Sequence, residues 1–234
     1  MISKTAMLVS VKAFDATAVD NGLKENPALL AFRDRRGRNW LHLCCGRRPA
    51  KGREKDSLRT AEGLLRHGFD IDAAAFTEGD WQATPVWYAI AHGRNLALAE
   101  FLLERGASPN HSLWAASFNK DLPAIRLLVK YGADLEQIAE ETTPFLGAVK
   151  WSQFGPAEEL LKAGADPNWR DKHGMTALHY MLKKNSDAGH IAMVVRYGAR
   201  GDIPDGTGKT AIDILRRKKA AALRELAEQL AARA

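Results

Sequence analysis

The chain has 234 residues, 46% hydrophobic and 26% charged, with 34 Lys/Arg against 28 Asp/Glu and a formal charge of +6. That balance excludes a chain that is mostly disordered, and no apolar run approaches the ~18–20 residues needed to cross a membrane. The charge is uneven: 13 Lys/Arg against 6 Asp/Glu over residues 1–60, 14 against 18 over 61–204, and 7 against 4 over 205–234.

At the start, "AMLVSVKAF" and "TAVDNGLKENPALLAFRDRRG" predict two helices leading into a turn. Lys12 interrupts the early apolar run and no small-residue cleavage site follows, so no signal peptide is expected. From residue 39 onward a unit recurs. A capping-type position falls at Asn39, Thr84, His111, Thr143, Thr176 and Thr210, at intervals of 45, 27, 32, 33 and 34 residues. A second marker keeps step with it. Paired apolar residues run into Gly68, Gly106, Gly132, Gly164 and Gly198, in "LLRHGFDID", "LLERGASPN", "LLVKYGADLE", "LLKAGADPN" and "VVRYGARGD".

Each unit predicts a helix opened by a Thr cap, with Pro tolerated at the first turn, then a second helix closed by a glycine in the left-handed region. From cap to glycine the later units span 21 or 22 residues, and the first spans 29. Its excess is assigned to "GRRPAKGREKDS", a basic and polar loop that includes residues 47–57. The unit at His111 has a short linker in place of the usual hairpin. The tail "AIDILRRKKAAALRELAEQLAARA" predicts helix that shields the last unit.

"TPVWYAIAHG", "TPFLGAV", "TALHYML" and "GADPNWRD" resemble the ankyrin repeat signature, in register over about 200 residues. The resemblance implies an all-α solenoid of paired antiparallel helices with short β-hairpin or turn linkers. It implies about six repeats, a diverged N-terminal cap repeat over 1–33, repeats one to five over 34–203, and a last repeat with a capping helix over 204–234, all in one domain.

"PDGTGKTAIDIL" ends as a phosphate-binding P-loop does. Such a loop needs glycine five residues before Gly208, where Ile203 stands, and a preceding strand where a helix is predicted. Thr210 aligns instead with Thr176 and Thr143 as a cap. His42 and His179 fall at the signature histidine, which the resemblance assigns to tying neighbouring units by hydrogen bonds. Cys44 and Cys45, the only cysteines, are adjacent, form no disulfide framework, and read as small packing residues in a reducing, cytoplasmic setting. No catalytic constellation, metal site or cofactor is expected.

The family binds partners at hairpin tips and on the exposed side of the first helices. In register, these positions are Arg35, Arg36, Arg38 and Arg47; Asp80, Trp81 and His92; Phe118 and Asn119; Lys150 and Trp151; Lys172, His173, Lys183 and Lys184; and Lys209, Arg217 and Lys218. This face is expected to be basic, with Trp81, Phe118 and Trp151 within it, while acids in "AEELLKAGAD" and "ALAEFLLERG" mark the second helices. The expected function is a non-catalytic, monomeric protein-binding scaffold for an acidic partner. The alternative is a phosphate-bearing ligand, that is nucleic acid, a nucleotide or a phosphopeptide.

Overall fold

The computed structural model describes residues 2–78 and 81–232. Helices follow one another in pairs. They are α1 (Lys4–Ala13) and α2 (Ala16–Glu25), a 3-10 turn at Pro27–Ala31, then α3 (Trp40–Cys45) and α4 (Glu54–Arg66). A two-stranded antiparallel hairpin, β1 (Thr77–Glu78) and β2 (Trp81–Gln82), leads to α5 (Pro85–Tyr88), which runs into a π turn at Ala89–Gly93, and to α6 (Leu96–Leu103). After these come α7 (Leu113–Phe118) and α8 (Leu122–Lys130), α9 (Pro144–Lys150) and α10 (Phe154–Ala163), α11 (Ala177–Lys183) and α12 (Ala188–Arg196), and α13 (Ala211–Arg216) and α14 (Ala221–Ala231). Two compact units result, one of residues 1–115 and 130–133, the other of 116–129 and 134–234.

Local chemistry sets the ends of the helices. The side chains of Asn39, Thr84, Thr143 and Thr210 accept the N–H of the third helical residue, at 3.0, 3.3, 3.2 and 3.1 Å. That satisfies a donor the helix leaves open. The predicted glycines Gly68, Gly106, Gly132, Gly164 and Gly198 all take positive φ at the ends of second helices. Between the helices of a pair the chain also turns through the left-handed region, here on Phe14, Arg94, Lys120, Ser152 and Asn185.

In the first unit, α3 packs on α1, α4 and α5, and α4 packs on α2 and α6. Trp40, Leu41, Leu64, Leu98 and Leu102 fill the space between the two layers and are wholly buried. Removing each of these large side chains from water is worth about 1.5–3 kcal/mol. In the second unit α9, α11 and α13 form one layer and α10, α12 and α14 the other. Leu146, Leu160, Leu178, Val194 and Leu215 lie buried between them.

Three expectations change. Ser112, not His111, immediately precedes α7, and His111 sits at φ 70 in the turn before it. The extra residues of the first long unit are only partly loop. Residues 54–57 form the first turn of α4, whose 13 residues extend the helix where Glu54 and Asp56 favour its N-terminus. The tail is two helices, broken over residues 217–220. Among the described residues, no helix is long and apolar enough to cross a membrane.

Candidate functional site

One turn recurs at the hairpin tips. Asp34, Asp171 and Asp205 each stand three residues before a glycine with positive φ, namely Gly37, Gly174 and Gly208. The aspartate N–H donates to the carbonyl of the residue after that glycine, and the glycine N–H returns to the aspartate carbonyl. One carboxylate oxygen then accepts two more backbone N–H groups. These are Arg36 and Arg38 at 2.9 and 3.0 Å, His173 and Met175 at 2.9 and 3.0 Å, and Thr207 and Lys209 at 2.8 and 3.1 Å. In "GTGKT" the backbone donors that would cradle a phosphate are therefore filled by Asp205. Gly37 is fixed by space as well as by φ, since a Cβ there would collide with the Ala75 carbonyl.

The first unit carries a cleft of about 430 Å³ beside its first tip, lined by Lys12, Asp34, Arg36, Arg38, Arg47 and His92 over a floor of Phe32, His42 and Tyr88. Arg38 is clamped, its Nε donating to Asp34 Oδ2 at 2.8 Å. Burial alone would raise the Asp34 carboxyl. The Arg38 guanidinium and the backbone donors of Arg38 and Arg36 outweigh it and hold the group below the usual carboxylate range. Lys12, Arg36 and Arg47 meet no carboxylate among the described residues.

An aromatic wall borders this cleft. Phe76, Trp81, Trp87 and Tyr88 form successive edge-to-face pairs at 5.1, 5.1 and 5.0 Å. His92 packs on Trp87 and Tyr88. Trp81 is fixed by its Nε1–H to the His111 carbonyl at 3.0 Å. The π turn carries His92 to this place. It inserts one residue after α5, and Gly93 lies so close to the Cys45 carbonyl that a Cβ would collide with it. Burial, with Arg38 and Arg36 nearby, lowers the His92 pKa from its ordinary value.

His42 and His179 play one structural part. His42 Nδ1 accepts the Asn39 N–H at 3.2 Å, while Nε2–H donates to the Ala73 carbonyl at 2.8 Å. His179 accepts from the Thr176 N–H and donates to the Lys209 carbonyl at 3.1 Å. Burial pushes the His42 pKa down to about 4, which keeps the ring neutral for this double role. Cys44 and Cys45 are buried, and burial raises the Cys44 thiol to about 12, so neither is a reactive thiolate.

In the second unit the predicted cations are largely engaged. Lys150 Nζ lies 3.5 Å from Asp171 Oδ2 and 4.7 Å from the centroid of the Tyr180 ring, whose hydroxyl donates to Asp171 at 2.5 Å. Burial penalises the Asp171 carboxylate. Tyr180, the Met175 and His173 N–H groups and Lys150 more than offset that, and the pKa is lowered. Lys172 pairs with Glu141 at 2.5 Å, Lys184 donates to the Lys150 carbonyl, and Lys218 donates to Asn185 at 2.8 Å. Phe118, 52% exposed, packs edge-to-face on Trp151 at 5.1 Å. Lys209 and Arg217 line a small cleft with Asp213, Ile214 and Lys218.

The Ankyrin repeat family profile matches residues 81–112. The Ankyrin repeat protein nuc-2 of Neurospora crassa is 29% identical over 137 residues, 54% of this chain and 12% of that protein. Human Ankyrin repeat and SOCS box protein 16 is 29% identical over 177 residues, 76% of this chain and 32% of that protein. The crystal structure of the ankyrin repeat domain of Bcl-3, described as a unique member of the IkappaB protein family, superposes with a TM-score of 0.74 at 18% identity, over 97% of this chain and 100% of that one. The chain carries an ankyrin repeat at residues 81–112 and has the fold of ankyrin repeat domains. It spans about an eighth and a third of the two curated relatives. Ankyrin repeat domains are generally non-catalytic and mediate protein–protein interaction.

Placed in this ankyrin fold, the predicted site residues separate. Arg36, Arg38, Arg47 and His92 share the first-unit cleft. Trp81 joins it through Trp87, and Arg35 is exposed but is not among the lining residues. Asp80 lies outside the described residues. In the second unit Lys172 and His173 share one tip, Lys209 and Arg217 share a cleft, and Lys183 is exposed. Register reasoning missed Asp34, Tyr88 and Lys12. An aspartate five residues before the cap recurs at Asp34, Asp171 and Asp205, and this signal was available in the sequence.

The second helices are not simply acidic. In the first unit Glu62 meets Arg105 at 3.5 Å and Glu100 meets Lys130 at 3.1 Å. In the second Glu158 meets Arg196 at 3.8 Å and Glu159 meets Arg126 at 2.6 Å. Arg126, with Lys162, holds Glu159 down to about 2 despite some burial. These acids are spent on neighbouring helices.

Proposed function

We propose that this ankyrin-repeat chain is a non-catalytic scaffold that binds an acidic surface of another protein, with the first-unit cleft as the main contact. The observation that carries this reading is the group Lys12, Arg36 and Arg47, cations without a carboxylate partner among the described residues, beside the Trp87–Tyr88–His92 wall. Guanidinium groups next to large rings are the side chains that dominate binding energy at interfaces. Unpaired positive charge speeds encounter with acidic surfaces and selects them over basic ones. Lys183, Lys209 and Arg217 supply a second, weaker attraction in the second unit. Residues 1–234 are taken as a single functional array, with a cap over 1–33, repeats over 34–203 and a last repeat with its capping helix over 204–234. It acts as a monomer in the cytoplasm and without a cofactor.

The test is retention of immobilised peptides of random sequence enriched either in Asp/Glu or in Lys/Arg, at low and high salt. Acidic peptides should bind at low salt, and the combined Arg36→Glu and Arg47→Glu substitutions should abolish most of that binding. Equal retention of both peptide classes, or no effect of the double substitution, would overturn the proposal.

A further inference from the structure

We infer that the acidic group the first-unit cleft takes from its partner is a phosphorylated side chain. The inference rests on the acidic-partner reading above and specifies its ligand. The first ground is charge balance. Lys12, Arg36, Arg38 and Arg47 all line the cleft, and Asp34 is the single carboxylate among the lining residues. Both its oxygens are occupied, Oδ1 by the Arg36 and Arg38 N–H groups and Oδ2 by the Arg38 guanidinium. Three cations are left over. A carboxylate brings one negative charge, whereas a phosphomonoester brings about −1.5 to −2 at neutral pH and three acceptor oxygens.

The second ground is geometry. The cations come from separate elements: Lys12 from the end of α1, Arg36 and Arg38 from the tip, and Arg47 from the segment after α3. They converge on one hollow rather than running along a stripe, which suits a compact polyanionic group better than the extended backbone of a nucleic acid. The arginines offer planar forks of donors that match phosphate oxygens, and Arg38 is already immobilised by Asp34, so its ordering precedes binding. The third ground is the ring lining. Phe32, Tyr88 and His92, all among the residues lining the cleft, give the carbon stem of the phosphorylated residue a surface to lie on. The aspartate-filled tips at Asp171 and Asp205 lack this combination, because Lys172 is paired with Glu141 and Asp213 stands among the residues around Lys209.

The test uses the full chain and three matched peptide pools with random flanks, in which the central residue is unmodified Ser, Thr or Tyr, its phosphorylated form, or Glu. Binding is read by fluorescence anisotropy, with inorganic phosphate as competitor. The phosphorylated pool should bind at least about tenfold more tightly than the Glu pool. Arg36→Gln with Arg47→Gln should erase that preference while leaving the thermal melting curve in place, since both side chains are exposed and form no ion pair among the described residues. On binding, the His92 ring should titrate at higher pH by NMR. Equal binding of the phosphorylated and Glu pools would overturn this inference and leave the acidic-partner reading standing. Failure of every acidic pool would overturn both. A preference that survives the double substitution would place the phosphate elsewhere and overturn the assignment of the cleft, as would inorganic phosphate binding as tightly as the peptides.

Discussion

The two units present cations on their tips and first helices with different outcomes. In the first, Arg36 and Arg47 project beside a tip whose acid, Asp34, the only one among the residues lining the cleft, is already engaged at both oxygens. In the second, Lys150 is taken by Asp171 and Tyr180, Lys172 by Glu141, and Lys184 by a backbone carbonyl. What occupies Lys150 and Lys172 is an acid on the adjoining turn, not the cation's own place in the repeat. Fold register therefore groups the tips and first helices but does not say which of their charges remain to be used.

The comparison can be broken most severely at Gly93. In Gly93→Ala the new Cβ meets the Cys45 carbonyl, so the π turn cannot keep its place. We expect a loss of about 4 kcal/mol in urea unfolding, near the top of the usual range for single substitutions, together with loss of acidic-peptide binding. A melting curve within error of the parent would show that the π turn relaxes easily and does not hold the wall.

A smaller effect, about 2–3 kcal/mol, is expected from Asp171→Ala, which leaves the Met175 and His173 N–H groups, Tyr180 and Lys150 without their acceptor. It should also make the second unit bind acidic peptides more like the first. Stability unchanged in chemical denaturation would contradict the anchoring role assigned to this carboxylate.

The smallest effect sharpens the contrast. Glu140 and Glu141 occupy consecutive positions with φ 48 and 59, the conformation of a two-residue turn that favours Asn-Gly. Glu140→Asn with Glu141→Gly should stabilise the fold by about 1 kcal/mol through relief of that strain. It should also release Lys172 and raise acidic-peptide retention modestly. A fall in melting temperature would mean that the Glu141–Lys172 pair outweighs the strain.

Much of this architecture was legible because it is periodic. The caps at Thr84, Thr143 and Thr210 and the closing glycines followed from spacing, and the two bridging histidines from the family resemblance. Legibility failed where one residue shifts the phase, as at Ser112, and where an element changes type without a composition signal, as in the π turn at Ala89–Gly93. It failed again for the left-handed joints, because Arg94, Lys120, Ser152 and Asn185 occupy positions where glycine would have announced itself. The state of each cation was hidden for another reason. Lys172 is answered by Glu141 and Lys150 by Asp171, partners that lie in neighbouring repeats and that no reading of one repeat brings together.

The tips built on Asp34, Asp171 and Asp205 close within five residues, using an aspartate, a glycine and backbone groups. The two residues enclosed between them are Arg35-Arg36, Lys172-His173 and Gly206-Thr207; in the first two tips they contribute to that closure only through the main chain of the second, whereas Thr207 also donates its hydroxyl to Asp205 Oδ1 at 2.7 Å. In the first two tips these side chains can be exchanged without rebuilding the support beneath them, whereas a Cβ at Gly206 would meet the His173 carbonyl. Each of those two tips is thus a two-letter slot in a fixed frame, where recognition can be rewritten by evolution or by design while the repeat itself stays unaltered.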